Sequence, residues 1–160
     1  HAMEVASAGR YFDEWRIGDR IAHDIRRTVT ETDNLLFTTM THNPQPLHLD
    51  AEAARASEFG RILVNGTFTF ALMVGLSVGD TTLGTLVANL GYDKLVHPRP
   101  VGIGDTLRAT SEVVDLRASS SRPNAGIVTF SHQLFNQHDE IVCQCLRMAM
   151  LFRLDQKTGS

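Results

Sequence analysis

Apolar and polar positions follow two different rhythms along this chain. In the first half they suggest one strand and a set of helices. Ile21, His23 and Ile25 alternate with Ala22, Asp24 and Arg26, which predicts a strand over residues 21–30. Thr30-Glu31-Thr32-Asp33 then places a hydroxyl and a carboxylate three apart, the pattern of a helix capping box. Leu35, Leu36, Phe37 and Met40 supply one helical face behind it. Asp50 is placed to cap a short helix over residues 51–57, closed by Phe59-Gly60. Residues 66–78 are apolar nearly all round, interrupted only by Thr67, Thr69 and Ser77. A helix with so little polar surface must be surrounded by protein. Its β-branched and aromatic content also permits a buried strand, and Gly79-Asp80 is expected to end it.

In the second half the rhythm becomes that of long strands, over residues 85–96, 107–116, 127–135 and 141–154. The last two form a hairpin across Asn136-Gln137-His138-Asp139-Glu140. One apolar helix followed by antiparallel strands implies an α+β domain whose sheet curls around the helix. The open edges of such a sheet favour self-association.

Between the two predicted helices at 31–40 and 51–57 lies Thr41-His42-Asn43-Pro44-Gln45-Pro46-Leu47-His48-Leu49-Asp50. Its prolines fix φ and remove amide donors, so the segment is expected to be an ordered polar loop rather than regular helix. A loop carrying histidines suits a site better than a linker.

Composition narrows the function classes. At 160 residues the chain fits one domain, 42% hydrophobic and 21% charged. The net charge of −3 gives no support to a nucleic-acid binder. No apolar run approaches the ~20 residues of a membrane span. The N-terminal residues lack the apolar core of a signal peptide, so a cytoplasmic location is expected. His1-Ala2-Met3 reads as a cloning remnant, with residues 1–10 a flexible N-terminus, 11–154 the domain and 155–160 a tail. Cys143 and Cys145 sit too close for a sound bridge and lack partners at zinc spacing, so packed, reduced thiols and no metal are expected.

Taken together, these segments resemble the MaoC-like dehydratases, which include (R)-specific enoyl-CoA hydratases. The resemblance runs through Tyr11-Phe12-Asp13-Glu14-Trp15 with Ile17-Gly18-Asp19, and Thr30-Glu31-Thr32-Asp33. It continues through residues 43–50, Phe59-Gly60-Arg61-Ile62-Leu63-Val64-Asn65-Gly66, Pro100-Val101 with Gly104-Asp105-Thr106-Leu107, and Asn136-Gln137 with Glu140 and Val142. It implies a hot-dog fold, a homodimer or larger homo-oligomer, and an acyl-CoA or acyl-carrier thioester as substrate with no further cofactor. The family's hydratase motif ends in Asp-x-Asn-Pro-Leu-His, where the aspartate and histidine hold and activate a water. Aligned on His48, the aspartate position falls on Asn43 and the asparagine position on Gln45. An amide can orient water but cannot take its proton.

The resemblance therefore implies His48 as acid–base residue, Asn43 as water-positioning residue, and the Gly66 amide as donor to the thioester oxygen. Free N–H groups at a helix start favour such an oxyanion, a description that fits Gly66 and Thr67. Asn65, Gln45, Arg61, Arg99 and Arg122 complete the expected substrate contacts, the arginines for coenzyme A phosphates or for a distal carboxylate of a mesaconyl- or itaconyl-type C5 acyl group. Plain structural accounts compete at each position. His48 could be a loop histidine satisfied by backbone, Asn43 an ordinary turn residue, Gly66 a bare helix-start glycine, and each arginine a solvated charge. His97, His132 and His138 receive no chemical role. An acyl-CoA thioesterase and a non-catalytic acyl-thioester-binding subunit remain the rival readings.

Overall fold

The computed structural model describes residues 9–154. Residues 1–8, which hold the expected remnant and most of the expected flexible N-terminus, and the tail at 155–160 lie outside the described residues. Gly9 and Arg10 donate backbone hydrogen bonds to Leu83 and Thr81. A 3-10 turn at Phe12–Glu14 then seats Trp15 edge-on against Phe130, with ring centroids 5.2 Å apart.

Five antiparallel strands form one sheet: β1 (Arg20–Thr28), β2 (Leu86–Val96), β3 (Thr106–Ala118), β4 (Ala125–Phe135) and β5 (Ile141–Phe152). Their spatial order is β1-β3-β4-β5-β2, so β1 and β2 are the edges. Four helices lie between β1 and β2 in sequence: α1 (Glu31–Met40), α2 (Pro46–Leu49), α3 (Ala51–Ala56) and α4 (Gly66–Thr81). The sheet curls around α4, the expected α+β hot-dog arrangement. Met73 and Leu76 of α4 join Leu107, Ala109, Leu134, Cys143 and Cys145 in the core. Both cysteines are free and buried, and burial pushes their thiols up to about 12 and about 11.

Local signals are realised closely. Thr30 Oγ1 accepts from Asp33 N–H, and Asp33 Oδ2 accepts from Thr30 N–H, the full capping box. Arg27 pairs with both oxygens of Asp33, which holds that carboxyl well below the usual carboxylate range. Asp50 Oδ1 caps α3 through Glu52 and Ala53.

Four expectations require correction. α4 does not stop at Gly79-Asp80 but runs to Thr81, whose hydroxyl donates back to Ser77 O. The polar loop contains one helical turn, α2, because Pro46 stands at its first position, where an amide donor is not needed. α4 is not enclosed on every side, since Thr67, Ala71 and Gly75 leave a small-residue face exposed. Finally, α1 faces the opposite way. Leu35, Leu36 and Met40 are exposed, whereas Asn34 and Thr38 are buried. That polar side is turned inward because it meets main-chain groups at the start of α4 and at α2.

Candidate active site

The site is built where α1, α2 and the first turn of α4 converge. Asn34 Nδ2 donates to the His48 carbonyl at 3.0 Å, and Asn34 Oδ1 accepts from Asn65 N–H at 3.0 Å. Thr38 Oγ1 donates to Asn34 Oδ1 and accepts from Asn65 Nδ2, each at 3.3 Å. Asn65 Oδ1 in turn caps α4 by accepting from Thr67 N–H at 3.0 Å. Asn34 and Thr38 were not singled out from sequence. Their i, i+4 spacing in a short helix was the available signal, hidden by the more conspicuous leucines.

His48 occupies the last turn of α2. Its Nδ1 lies 2.7 Å from the Leu63 carbonyl, an acceptor only, so Nδ1 carries a hydrogen and, in the neutral ring, Nε2 holds the lone pair. Leu63 is itself fixed by Leu47 and by a bridge to Gly102. His48 and Gly66 line the same cavity of about 220 Å³, with Thr69, His97 and Arg99 as its other polar groups and Leu63, Val101 and Val142 among its apolar walls. No acceptor for the Gly66 amide occurs among the described residues. A Cβ on Gly66 would meet His97 Nε2 at 3.2 Å, so the imidazole would have to give by a few tenths of an ångström.

The remaining sequence-selected residues divide. Thr67 is exposed and its amide is already taken by Asn65, so of the two expected helix-start donors only Gly66 stays open. Asn43 Oδ1 accepts from Gln45 N–H at 3.0 Å, which shapes the loop ahead of α2; Asn43 and Gln45 do not line the cavity. Arg99 does line it, and also borders an adjoining cavity of about 300 Å³ together with Arg61, Gln137 and Glu140. Arg99 Nε is paired with Glu140 at 2.9 Å. Arg122, in the loop between β3 and β4, borders neither cavity. Among the described residues, no group of three or more His, Cys, Asp or Glu side chains is placed to share a metal ion, and no helix is long and apolar enough to cross a membrane.

Comparison with known proteins agrees with this architecture. The chain is 35% identical over 149 residues to a mesaconyl-CoA hydratase of Cereibacter sphaeroides, covering 93% of this chain and 43% of the relative. It thus spans about two fifths of the length of the curated relatives it matches. Among solved structures, the MaoC-like dehydratase from Rhodospirillum rubrum superimposes with a TM-score of 0.78 at 32% identity, covering 91% of this chain and 98% of that one. A Mycobacterium tuberculosis protein described as having a double hotdog fold gives 0.83 at 26% identity, with 93% of this chain on 46% of it. The MaoC like domain family matches residues 13–134, from the 3-10 turn through nearly all of β4. On sequence and fold alike, the chain belongs to the MaoC like domain family.

Proposed function

We propose that this domain catalyses reversible hydration of a 2-enoyl-CoA thioester to the 3-hydroxyacyl-CoA. The observation that carries the reading is the pairing, in one cavity, of His48, whose Nδ1 is held by the Leu63 carbonyl, with the unoccupied amide of Gly66 at the start of α4. His48 Nε2 takes a proton from water as the oxygen bonds to C3. The π pair moves toward the thioester, where the Gly66 N–H and the helix start stabilise the enolate oxygen. The same imidazole returns its proton to C2, so one residue serves as base and then as acid. Leu63 O fixes the tautomer that makes this possible.

Two features favour a short, branched dicarboxylyl acyl group over a long chain. The cavity is small, about 220 Å³, and Arg99 reaches into it as a cation suited to a distal carboxylate. The relative named mesaconyl-CoA hydratase supports the same C5 class. Arg61, beside the adjoining cavity, is then available to coenzyme A phosphates. A homodimer joined through the β2 edge, a cytoplasmic setting and the absence of any further cofactor belong to the same proposal. The test is loss of enoyl-thioester absorbance with mesaconyl-CoA and crotonyl-CoA, for the wild type and for His48→Ala. Hydration by the wild type and none by a folded His48→Ala is expected. Activity surviving that substitution rejects the assignment, and free thiol release without hydration would point to a thioesterase instead.

A further inference from the structure

The family motif holds its water between a histidine and an aspartate, and the aspartate position here is Asn43, whose oxygen is engaged by Gln45 N–H. The cavity nonetheless contains a second imidazole. His97 follows the end of β2 directly, and Val96 is still paired with Gln144 of β5, so the ring is delivered from the sheet edge. It rests against the first residue of α4: a Cβ on Gly66 would stand 3.2 Å from Nε2 and 3.3 Å from Cε1 of His97. The Nε2 edge of the ring is therefore the one turned toward Gly66.

The other polar groups of the cavity offer a water no basic nitrogen. Arg99 has no lone pair and is paired with Glu140, and the Thr69 hydroxyl donates to Asn65 O at 3.4 Å. Besides His48, His97 is thus the cavity side chain able to accept a hydrogen bond from water through a basic nitrogen. We infer that His97 is a second catalytic residue, holding the other hydrogen of the water that His48 deprotonates and so filling the post left by the missing carboxylate. The inference rests on the hydration reading above. In the step itself, one water proton goes to His48 Nε2 and returns to C2. The second O–H bond stays intact, hydrogen-bonded to His97 until it becomes the hydroxyl of the product, so His97 undergoes no net change. Desolvation against α4 lowers the His97 pKa, partly offset by a hydrogen bond with the Val142 backbone. The neutral ring this favours is the form the role requires.

The experiment is steady-state hydration of mesaconyl-CoA and crotonyl-CoA by wild type, His97→Gln, His97→Asn and His48→Ala, each checked for an unchanged thermal transition. Both His97 variants should lose about a hundredfold in kcat with KM within about threefold. The pH profile separates chemistry from packing. At sufficiently acid pH, wild-type kcat/KM should steepen to fall with the square of proton concentration, because both imidazoles must be neutral and His97 protonates below the ordinary histidine range; in the His97 variants it should fall only in proportion to proton concentration. Full kcat in His97→Gln, or a loss of rate with the wild-type acid limb preserved, would overturn the role of His97 alone. A wild type that hydrates neither compound would remove the hydration reading, and this inference with it.

Discussion

Asn34 and His48 are joined by a hydrogen bond from the Asn34 side-chain amide to the His48 carbonyl oxygen, 3.0 Å long, while the other end of the same amide holds Asn65 N–H. A single buried side chain therefore fixes the distance between the proposed acid–base residue and the first turn of α4. Asn34→Leu keeps the volume and loses these two bonds and the one from Thr38 Oγ1, leaving a part-buried carbonyl and a buried amide unpaired and a buried hydroxyl without its acceptor. A loss of about 2–3 kcal/mol in unfolding free energy is expected, read by urea denaturation. The hydration rate should fall at least tenfold in protein that remains folded, because misplacement of either element is felt at the reacting atoms.

Gly66 offers a sharper separation of stability from activity. Alanine at a helix start costs little, and its Cβ would press on the His97 ring at 3.2–3.3 Å, within the cavity. Gly66→Ala should unfold near the wild-type temperature and lose roughly a hundredfold in kcat, through crowding of the thioester and displacement of His97. Thermal melts and turnover on the same preparation check both halves.

Which parts of this arrangement were legible beforehand follows from the range of the interactions. The capping box of Thr30 and Asp33, the Asp50 cap and the start of α4 at Gly66 depend on neighbours within a few residues, and sequence reading finds them. The end of α4 was misjudged because Gly79 and Asp80 break helices only when nothing else holds them; here Thr81 bonds back to Ser77. The outward-facing leucines of α1 show the deeper difficulty. A helix buries whichever side its surroundings can satisfy, and the partners of Asn34 lie 14 and 31 residues away. For the same reason His97 receives no chemical role from sequence, since only the folded sheet brings it to Gly66. The strand order β1-β3-β4-β5-β2 is likewise non-local, and alternation along the chain does not supply it.

Acid should weaken the fold through His132. This ring is fully buried between Ser111 and Phe130; Asp80, His23, Ser111 and His132 form one hydrogen-bonded series from the surface inward. Burial first, then the nearby charges of Arg147 and His23, lower its pKa to about 3. The unfolded chain takes up this proton near pH 6.5, so below that value the unfolded state binds more protons and stability drops as pH falls. The loss should approach about 3 kcal/mol by roughly pH 4 and level off near the folded value. In His132→Leu the curve of unfolding free energy against pH should be shallower over that window, even if the variant starts from a lower stability at pH 7. An unchanged slope would assign the acid sensitivity to other groups.

The β2 edge carries the last prediction. Leu90, Tyr92, Leu95 and Val96 are all at least 40% exposed on a strand with an unpaired side, and α4 leaves Ala71 and Gly75 uncovered. An apolar open edge of this kind is an invitation to a second sheet. The double hotdog relative, which this chain matches over less than half its length, shows that two such units can occur in one protein. A charge placed on the strand should prevent the contact without disturbing the core, because these side chains are outside it. Leu90→Lys is therefore expected to shift the sedimentation mass from two chains to one while leaving the thermal transition of the monomer cooperative. Since His97 and Arg99 emerge from the end of the same strand, the monomeric variant should also hydrate mesaconyl-CoA more slowly, and a dimeric Leu90→Lys protein would place the interface elsewhere on the surface.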